Sequence, residues 1–81
     1  MRCLIRLTGD GCPTVITVDC MTYDDEAQVL WIVTIGGDSY TIKMSDFDAK
    51  TAIRALYRNG FVGLDEFDAV DEDADEEIAT D

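Results

Sequence analysis

The chain reads as a small α+β domain: a four-stranded antiparallel β-meander, one packed α-helix and a C-terminal acidic amphipathic segment. Three observations predict this. Residues 2–44 carry apolar runs of period two separated by short turn sequences, as strands do. Residues 45–60 carry an apolar stripe at helical spacing between a capping serine and a glycine stop. Residues 65–81 carry ten carboxylates and no basic residue. At 81 residues the chain is one domain. A domain of that size buries only about 60% of its unfolded surface, which leaves little room for a catalytic cleft beside the core.

The strands follow in order. From Arg2 to Thr8, Cys3, Ile5 and Leu7 alternate with Arg2, Leu4 and Arg6. Gly9-Asp10-Gly11-Cys12-Pro13 is turn chemistry, because glycine permits positive φ and proline removes a ladder donor. Thr14 to Tyr23 is rich in β-branched residues, with Ile16, Val18 and Cys20 on one face. Asp24-Asp25-Glu26 is a charged turn. Val29 to Ile35 is apolar on both faces, as a central strand is, and Trp31 in its middle reads as core. Gly36-Gly37-Asp38 suits a tight hairpin, after which Tyr40, Ile42 and Met44 alternate with Thr41 and Lys43.

Ser45 opens the helix: its hydroxyl caps the first turn, and Asp46 and Asp48 favour the positive end of the macrodipole. Ala49, Ala52, Ile53 and Leu56 form the buried stripe, and Asn59-Gly60 stops the helix with a left-handed residue. One helix covers one face of a four-stranded sheet. The other face, with Leu4, Val15, Met21 and Tyr23, is then covered either by the acidic helix or by a partner. Lys50, Arg54 and Arg58, four apart, form a basic stripe. We read it as a solvated face that pairs with the chain's own acidic segment, the alternative being a site for an acidic group.

In that segment Phe67, Val70, Ala74 and Ile78 recur at spacings of three and four. This predicts an acidic amphipathic helix from Leu64 to Asp75. The expected organisation is a body over residues 1–62 and an acidic segment over residues 63–81. In an up-and-down meander, the Asp24-Asp25-Glu26 turn and the end of strand four share a pole. Asp46 and Asp48 should join that acidic cluster. Asp10 and Asp38 sit in turns at the opposite pole, where the acidic segment begins.

Charge narrows the function. The net charge is −12, and residues 1–64 hold eight acids against six bases, so residues 65–81 supply most of it. Such a surface repels nucleic acid and anionic membranes and attracts the basic grooves that bind them. Cys3, Cys12 and Cys20 cannot all pair within one chain, and no C-x-x-C pair or histidine accompanies them, so free thiols in a reducing cytosol are expected and zinc is not. Asp71-x-Asp73-x-Asp75 begins like a calcium loop, but Glu76 stands where glycine is needed and the chain ends before a twelfth ligand. The absence of histidine excludes Ser-His and Cys-His nucleophile systems. No membrane span, cofactor or enzymatic activity is expected.

Two stretches carry a family resemblance. Gly37-Asp38-Ser39-Tyr40-Thr41-Ile42 is a hairpin strand. Ile53-Arg54-Ala55-Leu56-Tyr57-Arg58-Asn59-Gly60-Phe61 is a helix ending in basic-Asn-Gly-aromatic, followed by a run of acids. In these the chain resembles small phage-encoded type II-A anti-CRISPR proteins that mimic DNA. The resemblance implies binding to an RNA-guided nuclease where its arginines contact the short duplex motif beside the target. By motif position, it implies that Asp65, Glu66, Asp68, Asp71, Glu72 and Asp73 contact those arginines. The chain departs from the family at Val62-Gly63-Leu64, where the family has polar and acidic residues.

The expectation is thus an acidic inhibitor that mimics nucleic acid and blocks the DNA-binding site of a CRISPR nuclease in the host cytoplasm. Asp24, Asp25, Glu26 and Asp38 on the body join the six acids of the C-terminal segment as candidate partner-binding residues, with no direct nucleic-acid contact. The alternative is a non-enzymatic interaction module that binds through its open sheet face, where a homodimer could also form, and whose acidic tail only solubilises.

Overall fold

In the computed structural model, which describes residues 1–8 and 11–71, five strands and one helix form the domain. They run β1 (Arg2–Leu7), β2 (Pro13–Asp24), β3 (Val29–Thr34), β4 (Ser39–Lys43), α1 (Asp46–Asn59) and β5 (Phe61–Asp71). The α+β class holds. The expected four-stranded meander does not: β5 fills the gap between β4 and β1 and closes the sheet into a barrel. Neighbours are antiparallel except β1 and β5, since an odd number of alternating strands leaves one parallel pair. Closure pairs every strand on both edges, which removes the unpaired edge that an open meander exposes.

The expected acidic helix from Leu64 is therefore corrected as far as Asp71, and the folded body extends past residue 62 through β5. The rest of that segment, residues 72–81, lies outside the described residues. The strand's own pattern explains the misreading. Val62 and Leu64 are buried at period two, but the pairing with β1 then slips. Ile5 lies opposite Leu64 and the next residue, Arg6, lies opposite Asp68, so Asp65-Glu66-Phe67 bulge from the ladder. Ala69 resumes the inward position with shifted parity. The bulge leaves Phe67 and Val70 at a helix-like spacing of three, while the open edges of β1 and β4 supply hydrogen bonds only to a strand.

A second bulge corrects β2. Val18 pairs with Thr34 and Cys20 with Val33, so Asp19 is an extra residue. Parity flips there: Val18 and Met21 are buried, while Cys20 leaves the face it was expected to share with Val18. Met21 thus belongs to the barrel interior and not to an open sheet face. In β3 the inward positions are Leu30, Ile32 and Thr34, which leaves Trp31 half-buried rather than in the core.

The core gathers Cys3, Ile5, Val18, Met21, Leu30, Ile32, Ile42, Met44, Leu64 and Ala69 from the barrel, with Ala49, Ala52 and Leu56 from α1. The helix forms as its sequence predicts. Ser45 Oγ accepts from the Asp48 amide at 3.2 Å, and Gly60 ends the helix at φ +76° with its N–H donating to the Leu56 carbonyl. Its buried face packs against β5 and β2.

Candidate functional site

The exposed carboxylates stand on three parts of this frame. The first is the pole of the β2–β3 turn. Asp24 Oδ1 accepts from the Glu26 and Ala27 amides at 3.1 and 3.3 Å, which holds the turn and leaves Asp25 and Glu26 exposed. Met44, at the end of β4, donates its N–H to the Gln28 carbonyl, and the Tyr23 hydroxyl donates to the Met44 carbonyl at 3.0 Å. Those two bonds fasten the turn to the start of α1. Tyr23 is half-buried. Partial desolvation, then the carboxylates of Asp46, Asp25 and Asp24, hold its hydroxyl pKa above the usual tyrosine value. The meander geometry expected this gathering of Asp24, Asp25 and Asp46 at one pole.

The second part is the opposite pole. Thr34 Oγ1 accepts from the Asp38 amide at 3.1 Å, and the Thr34 N–H donates to the Asp38 carbonyl at 2.9 Å, which fixes Asp38 in the β3–β4 turn. Asp71 faces Tyr40 across the β4–β5 ladder, so Asp38 and Asp71 share this pole. Glu72 and Asp73 follow Asp71 but lie outside the described residues.

The third part is β5. Asp65 and Glu66 stand in the bulge, and Asp68 lies beside β1. Arg6 donates from Nε and Nη2 to Asp68 Oδ1 at 3.3 Å, an exposed pair that neutralises one of the six acids implied by the resemblance. Among the described residues, the expected pairing of the basic stripe with the acidic segment is not seen, and the part of that segment from residue 72 lies outside them. Lys50 pairs with Asp46 at 3.1 Å on its own helix. Among the described residues, no carboxylate forms an ion pair with Arg54 or Arg58. The eight candidate acids among the described residues are thus divided among two poles and a bulged strand.

Two features escaped the sequence reading. Phe47 and Tyr57 are 77% and 57% exposed, and with Lys50, Arg54 and Arg58 they give α1 an outward face that is both aromatic and basic. The signal was available in the recurrence of Phe47, Arg54 and Arg58 at spacings of seven and four. The second is a groove of about 150 Å³ between α1 and β5. Buried Ala52, Val62 and Leu64 line it together with Phe67, and exposed Asp48, Gly63 and Glu66 edge it. It lies between two consecutive elements, and it depends on how α1 packs back against β5, which no local pattern announces.

The thiols are separate. Cys3 is buried, and burial pushes its pKa up to about 12, so it is unreactive packing; Cys12 is exposed and Cys20 half-buried. Among the described residues, no three Cys, Asp or Glu side chains converge as metal ligands would, and no helix is long and apolar enough to cross a membrane.

Comparison with models of protein families, with curated proteins and with solved structures finds no match to this chain.

Proposed function

We propose that the protein is a non-enzymatic acidic inhibitor that mimics nucleic acid and occupies the basic DNA-binding site of a nuclease in the cytoplasm. One observation carries this reading. Asp24, Asp25, Glu26, Asp38, Asp48, Asp65 and Glu66 form no ion pair among the described residues, and the barrel and its helix distribute them over two turns, the first turn of α1 and a bulged strand. Carboxylates so spaced offer a basic groove a sequence of separate anionic points, as phosphates do, without a flexible chain to be ordered. The sequence of residues 72–81 adds six more carboxylates. The resemblance in the hairpin strand and the helix end supports an RNA-guided CRISPR nuclease as the target. Its arginines suit bidentate carboxylate partners.

Salt and competition test the reading. The complex with such a nuclease should weaken steeply between low and moderate salt, and duplex DNA should displace the inhibitor. Replacing Asp24, Asp25 and Glu26 with Asn, Asn and Gln keeps shape, removes three charges and should weaken inhibition while the fold persists. A nuclease that binds DNA and this protein together, with no mutual competition, would refute the mimic.

A second reading, an interaction module with a solubilising acidic tail, is favoured by the exposure of Phe47 and Tyr57 on α1. It moves the binding surface from the sheet to the helix. Replacing both aromatics with alanine would then abolish binding at any salt concentration.

A further inference from the structure

We infer that the groove between α1 and β5 receives one arginine side chain of the protein's partner. The inference rests on the reading above that the partner is basic, and it names where one contact is made.

Gly63 lies in the wall of this groove. A glycine in a strand weakens it, because it adds conformational freedom and packs nothing. In other strands a positive φ or a crowded backbone excuses the loss, but neither applies here. Gly63 has no positive φ, and a Cβ placed on it would meet only Asp65 Oδ1, at 3.9 Å, an ordinary contact. A Cβ at this position would therefore meet no crowding. Gly63 contributes bare backbone to the wall of the groove between α1 and β5.

The lining then selects the occupant. Ala52, Val62, Leu64 and Phe67 offer an apolar floor, which suits an aliphatic stem or a weakly hydrated planar group. A volume of about 150 Å³ is the size of cavity that holds a benzene-sized group. At the edge stand Asp48 from α1 and Glu66 from the β5 bulge, both exposed and neither in an ion pair among the described residues. An apolar slot flanked by two unpaired carboxylates fits a cation carried on an apolar stem. Arginine fits better than lysine. Its guanidinium is planar, sheds water more readily, and presents donors in several directions at once, so one group can serve carboxylates on two walls. The bulge matters here as well: it is what turns Glu66 out of the ladder to face a helix instead of a neighbouring strand.

The test uses the intact protein and small probes, with no nuclease present. N-acetyl-arginine methylamide is titrated against the isotope-labelled chain, with the citrulline analogue as its neutral isostere and the leucine analogue as an apolar control. Expected is a saturable shift of the Ala55, Gly63, Glu66 and Phe67 amides with arginine. The citrulline response should be about tenfold weaker, since a charge-assisted contact is lost. Gly63→Val adds bulk to the groove wall and should weaken that response. Glu66→Gln, at an exposed position, should weaken it severalfold, and it carries the test if the valine variant does not fold. Equal responses to arginine, citrulline and leucine would overturn the proposal, as would arginine shifts spread without saturation over Asp24–Glu26 and Asp38. Because the readout omits the nuclease, its failure would leave the DNA-competition result intact. Failure of the competition would likewise leave an arginine slot in a protein of other function.

Discussion

Leu64→Ala tests whether the acidic strand closes the barrel. Leu64 is 4% exposed, and its side chain lies within the core beside Ile5, its ladder partner on β1. The substitution removes about three carbons from a buried site, at about 0.8 kcal/mol per carbon group, so transfer alone accounts for about 2.4 kcal/mol. The cavity left behind raises the expected loss to about 3 kcal/mol or more. A chain of 81 residues has about 4–12 kcal/mol of stability in total, so this is a large share. For a domain of this size the melting temperature should fall by roughly 12–24 °C. Val70, also on β5 but 37% exposed, is the control: Val70→Ala should stay within about 0.5 kcal/mol. Both variants are followed by circular dichroism through urea and thermal unfolding, with the urea slope unchanged. A loss below about 1 kcal/mol for Leu64→Ala, or equal losses for the two, would refute closure by β5.

Three further outcomes follow from the same structure. In native protein an aromatic disulfide reagent should modify Cys12 quickly and Cys20 more slowly, with Cys3 reacting only on unfolding; equal rates for all three would contradict the burial of Cys3. The stability contributed by neutral Tyr23 is present below the ordinary tyrosine pKa of about 10 and is lost as pH rises through the higher native value. The melting temperature should therefore decline more steeply above about pH 10 in the parent than in Tyr23→Phe, and parallel curves would show no such contribution. A double-mutant cycle of Arg6→Gln and Asp68→Asn should give a coupling of only about 0–1 kcal/mol, because both side chains are largely solvated; a coupling above about 2 kcal/mol would contradict that exposed geometry.

What the sequence discloses follows the range of the interactions involved. Helix α1 is legible in full because Ser45, the apolar stripe and Gly60 act on their own neighbourhood. The turns at Asp24 and Asp38 are legible for the same reason. The face of Cys20 is not, since the extra residue at Asp19 is defined only by the pairing of β2 with β3. Strand β5 is hidden twice over. Its alternation breaks at the Asp65-Glu66-Phe67 bulge, and its reason for being a strand lies on β1 and β4, far away in sequence. The candidate site divides likewise. Its carboxylates are visible in composition alone, whereas the groove depends on how α1 packs back against the strand that follows it, which no local pattern specifies.

The parallel pairing of β1 with β5 also imposes an order in time. Arg2 meets Phe61 and Leu7 meets Ala69, so the first strand to be synthesised has no neighbour on one side until the last has been made. At about 5–20 residues per second, translation of the roughly 60 residues between them takes about 3–12 s. Hairpins form in microseconds, so β1 and β2 can associate long before then. Any sheet formed by β1 to β4 before β5 is made has two bare margins. The carboxylates of β5 arrive with the strand that covers them.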